Sequence, residues 1–167
     1  CPARTVDDMT EPSTIFQDSE KSVVAIHADG RTPIVTPFGG APFAVLIVES
    51  RPRIDHHEAS AFIAPLLEAG CRYAVCAGPL AEEWHEIVDW THLELTDFEV
   101  RDDDLVMTTG HADEPLSEAA FYFASCTRID GDEPTRYLVV TLGGGSETHR
   151  EVVDAVTHQF REHQGVE

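Results

Sequence analysis

Cys76 ends an apolar run, "YAVCAGP" (73–79), at a place where the chain turns from strand to helix. A thiol there meets free backbone N–H groups and the positive end of a helix dipole, and both favour the nucleophilic thiolate. Such a nucleophile needs a base. His111, just after "LVMTTG" (105–110), is the candidate, and Glu49, the last residue of "FAVLIVE" (43–49), is the candidate third member. Cys76, His111 and Glu49 therefore read as the catalytic set of a cysteine-nucleophile hydrolase or transferase. The competing reading of Cys76 is a small apolar side chain buried at a strand end.

A second group of residues could hold an anion. "VVTLGGGSETHREVVDAV" (139–156) passes from an apolar segment through three glycines into a helical pattern. Glycines let a backbone approach a phosphate closely, and the helix start supplies N–H donors. Gly143, Gly144, Gly145 and Ser146 are the candidate contacts, joined by Gly78 and Thr109 at neighbouring strand ends. No Gly-Lys-Ser/Thr follows the glycines, and a G-x-G-x-x-G fingerprint would need glycine where Thr148 stands. A tight corner explains the same residues. No cofactor is implied. No metal site is expected either, because the nine histidines and four cysteines include no H-x-x-x-H, H-E-x-x-H or C-x-x-C spacing.

These residues fall at the ends of a repeated rhythm. "FAVLIVE" reads as a parallel strand buried on both faces, and "RYAVCAG" (72–78), "LVMTTG" and "YLVVTL" (137–142) as the further core strands, each followed by a helical pattern. The first helix is N-capped by Asp55, with Glu58 completing a capping box. It carries Pro65 as a kink and ends at Gly70. The second presents Leu80, Trp84, Ile87, Val88 and Thr91 to the core, leaving His85 and Asp89 on a solvated face. "HLELTDFEVRDDD" (92–104) reads as a short strand and a loop. Leu116, Ala119, Ala120 and Phe123 form the inner face of the third helix, and Val152, Val153, Val156 and Phe160 that of the fourth. Upstream, "VVAIHADGRTPIVT" (23–36) predicts a hairpin about Asp29-Gly30. Residues 1–20 read as a flexible tail and 21–165 as a single domain. In a sheet of this kind ligands bind outside the carboxyl ends of the strands, which is where the candidate residues lie. The fold expected is a three-layer α/β sandwich, Rossmann-like or flavodoxin-like, with four parallel core strands and an N-terminal hairpin.

Cys71 and Cys76 lie five residues apart in one strand, so alternation puts them on opposite faces. The four cysteines form no disulfide framework, and a reducing, cytoplasmic setting is expected. Thirty-one acidic residues against 11 basic ones give a net charge of −20. That field repels nucleic acid and anionic membrane and suits a basic protein partner, although solubility alone also accounts for it.

Two short stretches resemble known families. "CAGP" (76–79) resembles the nucleophile elbow of the DJ-1/PfpI family over that turn alone; in that family the elbow comes later in the chain. "MTTGHADEPLSEAAFYFAS" (107–125) resembles a segment of small, uncharacterised bacterial Rossmann-like α/β proteins, in which a Thr-Thr-x-His strand end precedes a Glu-Pro-Leu helix start. This resemblance points to His111, Glu114 and Pro115 and implies no chemistry. The leading expectation for function is a small acidic accessory or immunity-type factor that binds a protein partner of basic character. The alternatives are a domain binding a small anionic ligand or nucleotide in the strand-end cleft, and the cysteine enzyme.

Overall fold

A computed structural model describes residues 11–164. Cys1 and the first ten residues of the expected tail lie outside the described residues. The strands are β1 (Ser13–Gln17), β2 (Ser22–Ala28), β3 (Phe43–Glu49), β4 (Cys71–Ala77), β5 (Met107–His111) and β6 (Arg136–Leu142). The helices are α1 (His56–Glu68), α2 (Ala81–Leu95), α3 (Leu116–Ser125) and α4 (Ser146–Gln164), and Asp102–Asp104 form one 3-10 turn. The strands make one sheet in the order β1-β2-β6-β3-β4-β5. β1 runs antiparallel to β2, and every other pairing is parallel.

The expected hairpin is displaced by one strand. β2 pairs with β1, which lies inside the stretch read as a tail. Their turn is tied by the Asp18 carboxylate, which accepts from the amides of Glu20 and Lys21 at 2.7 and 2.6 Å. Asp29-Gly30 is a turn too, but it leads out of the sheet. There the Asp29 carboxylate accepts from the amides of Arg31 and Thr32 and from the Thr32 hydroxyl, an Asx-type turn, and residues 33–42 form no strand. β2 itself pairs parallel with β6 along its whole length and so joins the parallel core.

The core has two halves, one on each face of the sheet. α1 and α2 cover one face through Phe62, Ile63, Leu66, Trp84 and Val88, packed on Val45, Ile47, Ala74 and Cys76. α3 and α4 cover the other through Phe123, Val156 and Phe160, packed on Leu46, Val75, Tyr137 and Val139. β3 is buried at all seven positions, as its unbroken apolar run predicts. Its larger apolar side chains, Phe43, Val45, Leu46, Ile47 and Val48, each contribute roughly 1.5–3 kcal/mol by leaving water. β3 hands the chain to α1 on one face and β6 hands it to α4 on the other. The crevice between the carboxyl ends of β3 and β6 is therefore the switch point where this class of sheet binds ligands.

Local details follow the sequence with informative departures. Asp55 caps α1 by accepting from the Glu58 amide at 3.0 Å. The Glu58 carboxylate does not complete the box and lies 3.4 Å from Arg31 Nε. α2 runs on to Leu95, because His92-Leu93-Glu94-Leu95 adds helix-compatible residues with no glycine or proline to stop it. Cys71 and Cys76 enter the same core cluster rather than opposite faces. A register irregularity where β4 begins against Phe43 and Ala44 breaks the alternation between them. Among the described residues, no helix is long and apolar enough to cross a membrane.

Candidate functional site at the strand ends

The switch-point crevice is filled by the chain's own Arg51. Two residues after β3, on the same side as Glu49, it folds back onto that carboxylate. Arg51 Nε donates to Glu49 Oε1 and Nη2 to Oε2, both at 2.8 Å, and the Arg51 amide adds a third bond to Oε1. Trp84 Nε1 reaches across from α2 to Oε2 at 2.9 Å, and Arg51 Nη1 donates to the Asp29 carbonyl. Hydrogen bonding to Glu49 raises the Arg51 pKa. Glu49 is 1% exposed, and both its oxygens are taken up by Arg51 and Trp84. It ties β3, α2 and the β2 exit turn together and does not orient an imidazole.

The glycine corner has a packing explanation at its first two positions. Gly143 has φ +70°, and a Cβ there would lie 2.5 Å from Arg51 Cγ. Gly144 has φ +65°, and its Cβ would strike Thr148. The Gly143 carbonyl accepts from His27 Nε2 at 2.8 Å. The His27 ring stacks on His149 at 5.0 Å between centroids, and His149 Nδ1 lies 2.9 Å from the Thr141 hydroxyl. Burial, helped by His27 alongside, lowers the His149 pKa. Gly145 and Ser146 are exposed, with open space around Gly145. Gly78 lines a recess of about 130 Å³ between the starts of α3 and α4, together with Glu114, Thr148 and Glu151. Two carboxylates at that recess oppose an anion.

Cys76 and His111 are not brought together. Cys76 stands opposite Gly110 in the β4–β5 ladder and packs under α1 and α2, 0% exposed. His111 stands opposite Ala77, whose side chain belongs to the other face, beneath α3. The sheet separates thiol from imidazole. Burial pushes the Cys76 thiol pKa far up and that of Cys71 to about 12, the reverse of activation. Iodoacetamide at neutral pH is expected to label exposed Cys126 and to spare Cys71 and Cys76 in the folded chain. Mass spectrometry showing Cys76 modified ahead of Cys126 would contradict this arrangement.

His111 has other partners. Its Nδ1 lies 2.5 Å from Glu114 Oε2, its Nε2 lies 3.1 Å from Thr109 Oγ1, and its ring packs on Tyr122 at 4.7 Å. Thr109, proposed from sequence as a ligand contact, thus sits with the imidazole. Among the described residues, no group of three or more His, Cys, Asp or Glu is placed to hold a metal ion.

A family model described as a domain of unknown function (DUF7684) matches residues 22–159. The chain belongs to the DUF7684 family. No curated protein and no solved structure matches it. The matched span of this DUF7684 domain begins at β2 and ends within α4, so it takes in the parallel strands and every strand-end residue above.

The DUF7684 span also contains a surface that the sequence reading passed over. Trp90 and Phe98 are 58% and 59% exposed, with ring centroids 5.7 Å apart in an edge-to-face pair. The Phe98 amide donates back to the Leu93 carbonyl at 2.8 Å, closing a Schellman-type cap on α2. Asp97 at φ +52° takes the position usually given to glycine, and Phe98 follows at φ +62°. A bulky side chain in that region is strained by about 1–3 kcal/mol. Trp90 borders a groove of about 460 Å³ between α1 and α2, walled by Ser60, Ile87 and Leu93 and edged by Glu86 and Asp89. The signal was present in the sequence: Trp90 lies off the inward stripe formed by Trp84, Ile87, Val88 and Thr91.

Proposed function

We propose that this is a protein-interaction domain, of an accessory or immunity type, that receives a basic segment of a partner on the α1/α2 face. The observation that supports it is the Trp90–Phe98 pair, exposed beside a groove, with Phe98 set there by a left-handed backbone and Trp90 by the outer face of α2. Exposed aromatic side chains of this kind are the usual anchors of an interface. From Ala81 to Val100 the chain carries Glu82, Glu83, Glu86, Asp89, Glu94, Asp97 and Glu99 and no Lys or Arg. A partner with Arg or Lys around an apolar anchor gains cation–π contact with the indole, about 0.5–2 kcal/mol, in addition to long-range attraction.

General attraction alone draws any basic peptide to a chain of net charge −20, so the test must turn on the aromatics. A fluorescent peptide of alternating Arg and Leu should bind, and one of alternating Glu and Leu should not. Trp90→Ala and Phe98→Ala should each weaken the basic peptide roughly 10- to 30-fold at 150 mM salt, the loss expected at an anchoring position. Equal affinity for the parent chain and Trp90→Ala by fluorescence anisotropy would remove the proposal.

A further inference from the structure

The structure assigns a second, chemical site on the opposite face of the sheet: we infer that Thr109, His111 and Glu114 form a hydroxyl-nucleophile relay able to cleave neutral or cationic carboxylic esters. Thr109 and His111 lie two residues apart on β5, so alternation puts both on the α3 face. The register agrees, since they stand opposite Val75 and Ala77, which pack in the α3/α4 core. Glu114 lies at the entry to α3. Its carboxylate can only accept, so the 2.5 Å contact places a proton on His111 Nδ1. In the neutral imidazole Nε2 is then the acceptor, 3.1 Å from the Thr109 hydroxyl, which donates to it. Hydroxyl, imidazole and carboxylate thus stand in the order and spacing that acyl transfer uses. The His111 ring is fixed against Tyr122, whose hydroxyl lies 2.6 Å from that of Tyr73.

The site lies at the edge of the sheet. β5 is the last strand of the sheet, Thr109 is partly exposed, and Met107, 46% exposed, is on the same face to receive an acyl chain. The net charge of −20 disfavours anionic substrates.

In the first step Thr109 Oγ bonds to the ester carbonyl carbon and its proton passes to His111 Nε2. That proton then goes to the departing alkoxide as the ester C–O bond breaks, leaving an acyl-threonine and an alcohol. Water attacks the acyl carbon, His111 Nε2 takes a proton from it, and the proton returns to Thr109 Oγ as the carboxylic acid leaves. The balance is ester plus water to acid plus alcohol, with no other reactant. Thr109 and His111 are the catalytic residues, and Glu114 is a positioning residue.

The full chain is incubated with a fluorophosphonate probe and, separately, with 4-nitrophenyl acetate. Peptide mass mapping is expected to find the phosphonate on Thr109 of the wild-type chain, a readout independent of how any variant folds. Thr109→Val should lose the adduct and Thr109→Ser should keep it. His111→Gln should slow labelling about 100-fold or more, the usual worth of a general base. Glu114→Ala should slow labelling and move the His111 proton from Nδ1 toward Nε2 in ¹⁵N NMR, a change that loss of stability alone does not produce. Absence of any Thr109 adduct in the wild-type chain, or ester turnover unchanged in Thr109→Val, overturns the inference.

Discussion

Replacing Glu49 with Ala is expected to lower the melting temperature by about 10 °C. Removing one partner of a buried ion pair costs about 3–5 kcal/mol, because the other charge stays behind unpaired. Arg51 keeps a quarter of its side chain exposed and recovers some hydration. Trp84 Nε1 recovers none, since Trp84 is fully buried, and a stranded donor costs about 1–3 kcal/mol. A total of about 3–5 kcal/mol corresponds to roughly 6–20 °C for a domain of this size. Arg51→Ala leaves the more deeply buried carboxylate with only neutral donors, Trp84 Nε1 and the backbone amide of residue 51, and should be as damaging. The double variant should lose less than the sum of the two, because neither charge is then left alone. Had Glu49 served to orient a catalytic base, its removal would cost activity and little stability. A melting temperature within about 2 °C of the parent, by calorimetry, would show that the Glu49–Arg51–Trp84 contacts do not bind the strand ends together.

The same residues show where the sequence was legible. β3, β4 and β6 announced themselves as continuous apolar runs, which only strands covered on both faces can afford. Glu49 ends the first of those runs, and Arg51 follows at i+2, on the same face of an extended chain, so their pairing could have been read directly. The separation of Cys76 from His111 could not. It depends on which residue of β4 stands beside which residue of β5, and that register is set across the space between strands, outside any local pattern. β1 was hidden for a different reason. Ser13–Gln17 is half solvated and its register slips between Thr14 and Phe16, so neither alternation nor an apolar run marks it. Cys71 misled through its irregular start to β4. The Thr109–His111–Glu114 relay lay partly in view: His111 and Thr109 were chosen for their place at a strand end, and Glu114 through the resemblance of residues 107–125. What was missing was the turn after β5, which carries Glu114 back over the imidazole. In the glycine corner, composition suggested a ligand. The atoms crowding Gly143 and Gly144 belong to Arg51 and Thr148, and a sequence alone cannot display such crowding.

Gly78→Ala is expected to destabilise by about 3 kcal/mol, and comparison with its neighbours explains why. Gly78 has φ +99°, and a Cβ there would lie 2.5 Å from the backbone oxygen of Glu49. Left-handed backbone costs an alanine about 1–2 kcal/mol. The collision is with main chain at the end of a fully buried strand, so relief requires moving β3 itself, in the range of about 1–3 kcal/mol for overpacking. Gly143→Ala carries the same kind of backbone penalty, but its Cβ meets Arg51 Cγ, part of a side chain. That side chain is free to move only once Glu49 lets it go. Gly143→Ala should therefore cost about 2 kcal/mol in the parent and measurably less in a Glu49→Ala background, where Arg51 can swing away. Gly145→Ala, with neither a positive φ nor a neighbour within 4 Å, should stay within about 0.5 kcal/mol of the parent. Urea unfolding of the four chains checks the ranking. If Gly78→Ala unfolds at the parental midpoint, then β4 does not approach Glu49 as closely as described, and the strand ends hold room for a ligand after all. If the ranking stands, Gly78 and Gly143 are glycines because the chain's own Glu49 and Arg51 occupy the space a side chain would need.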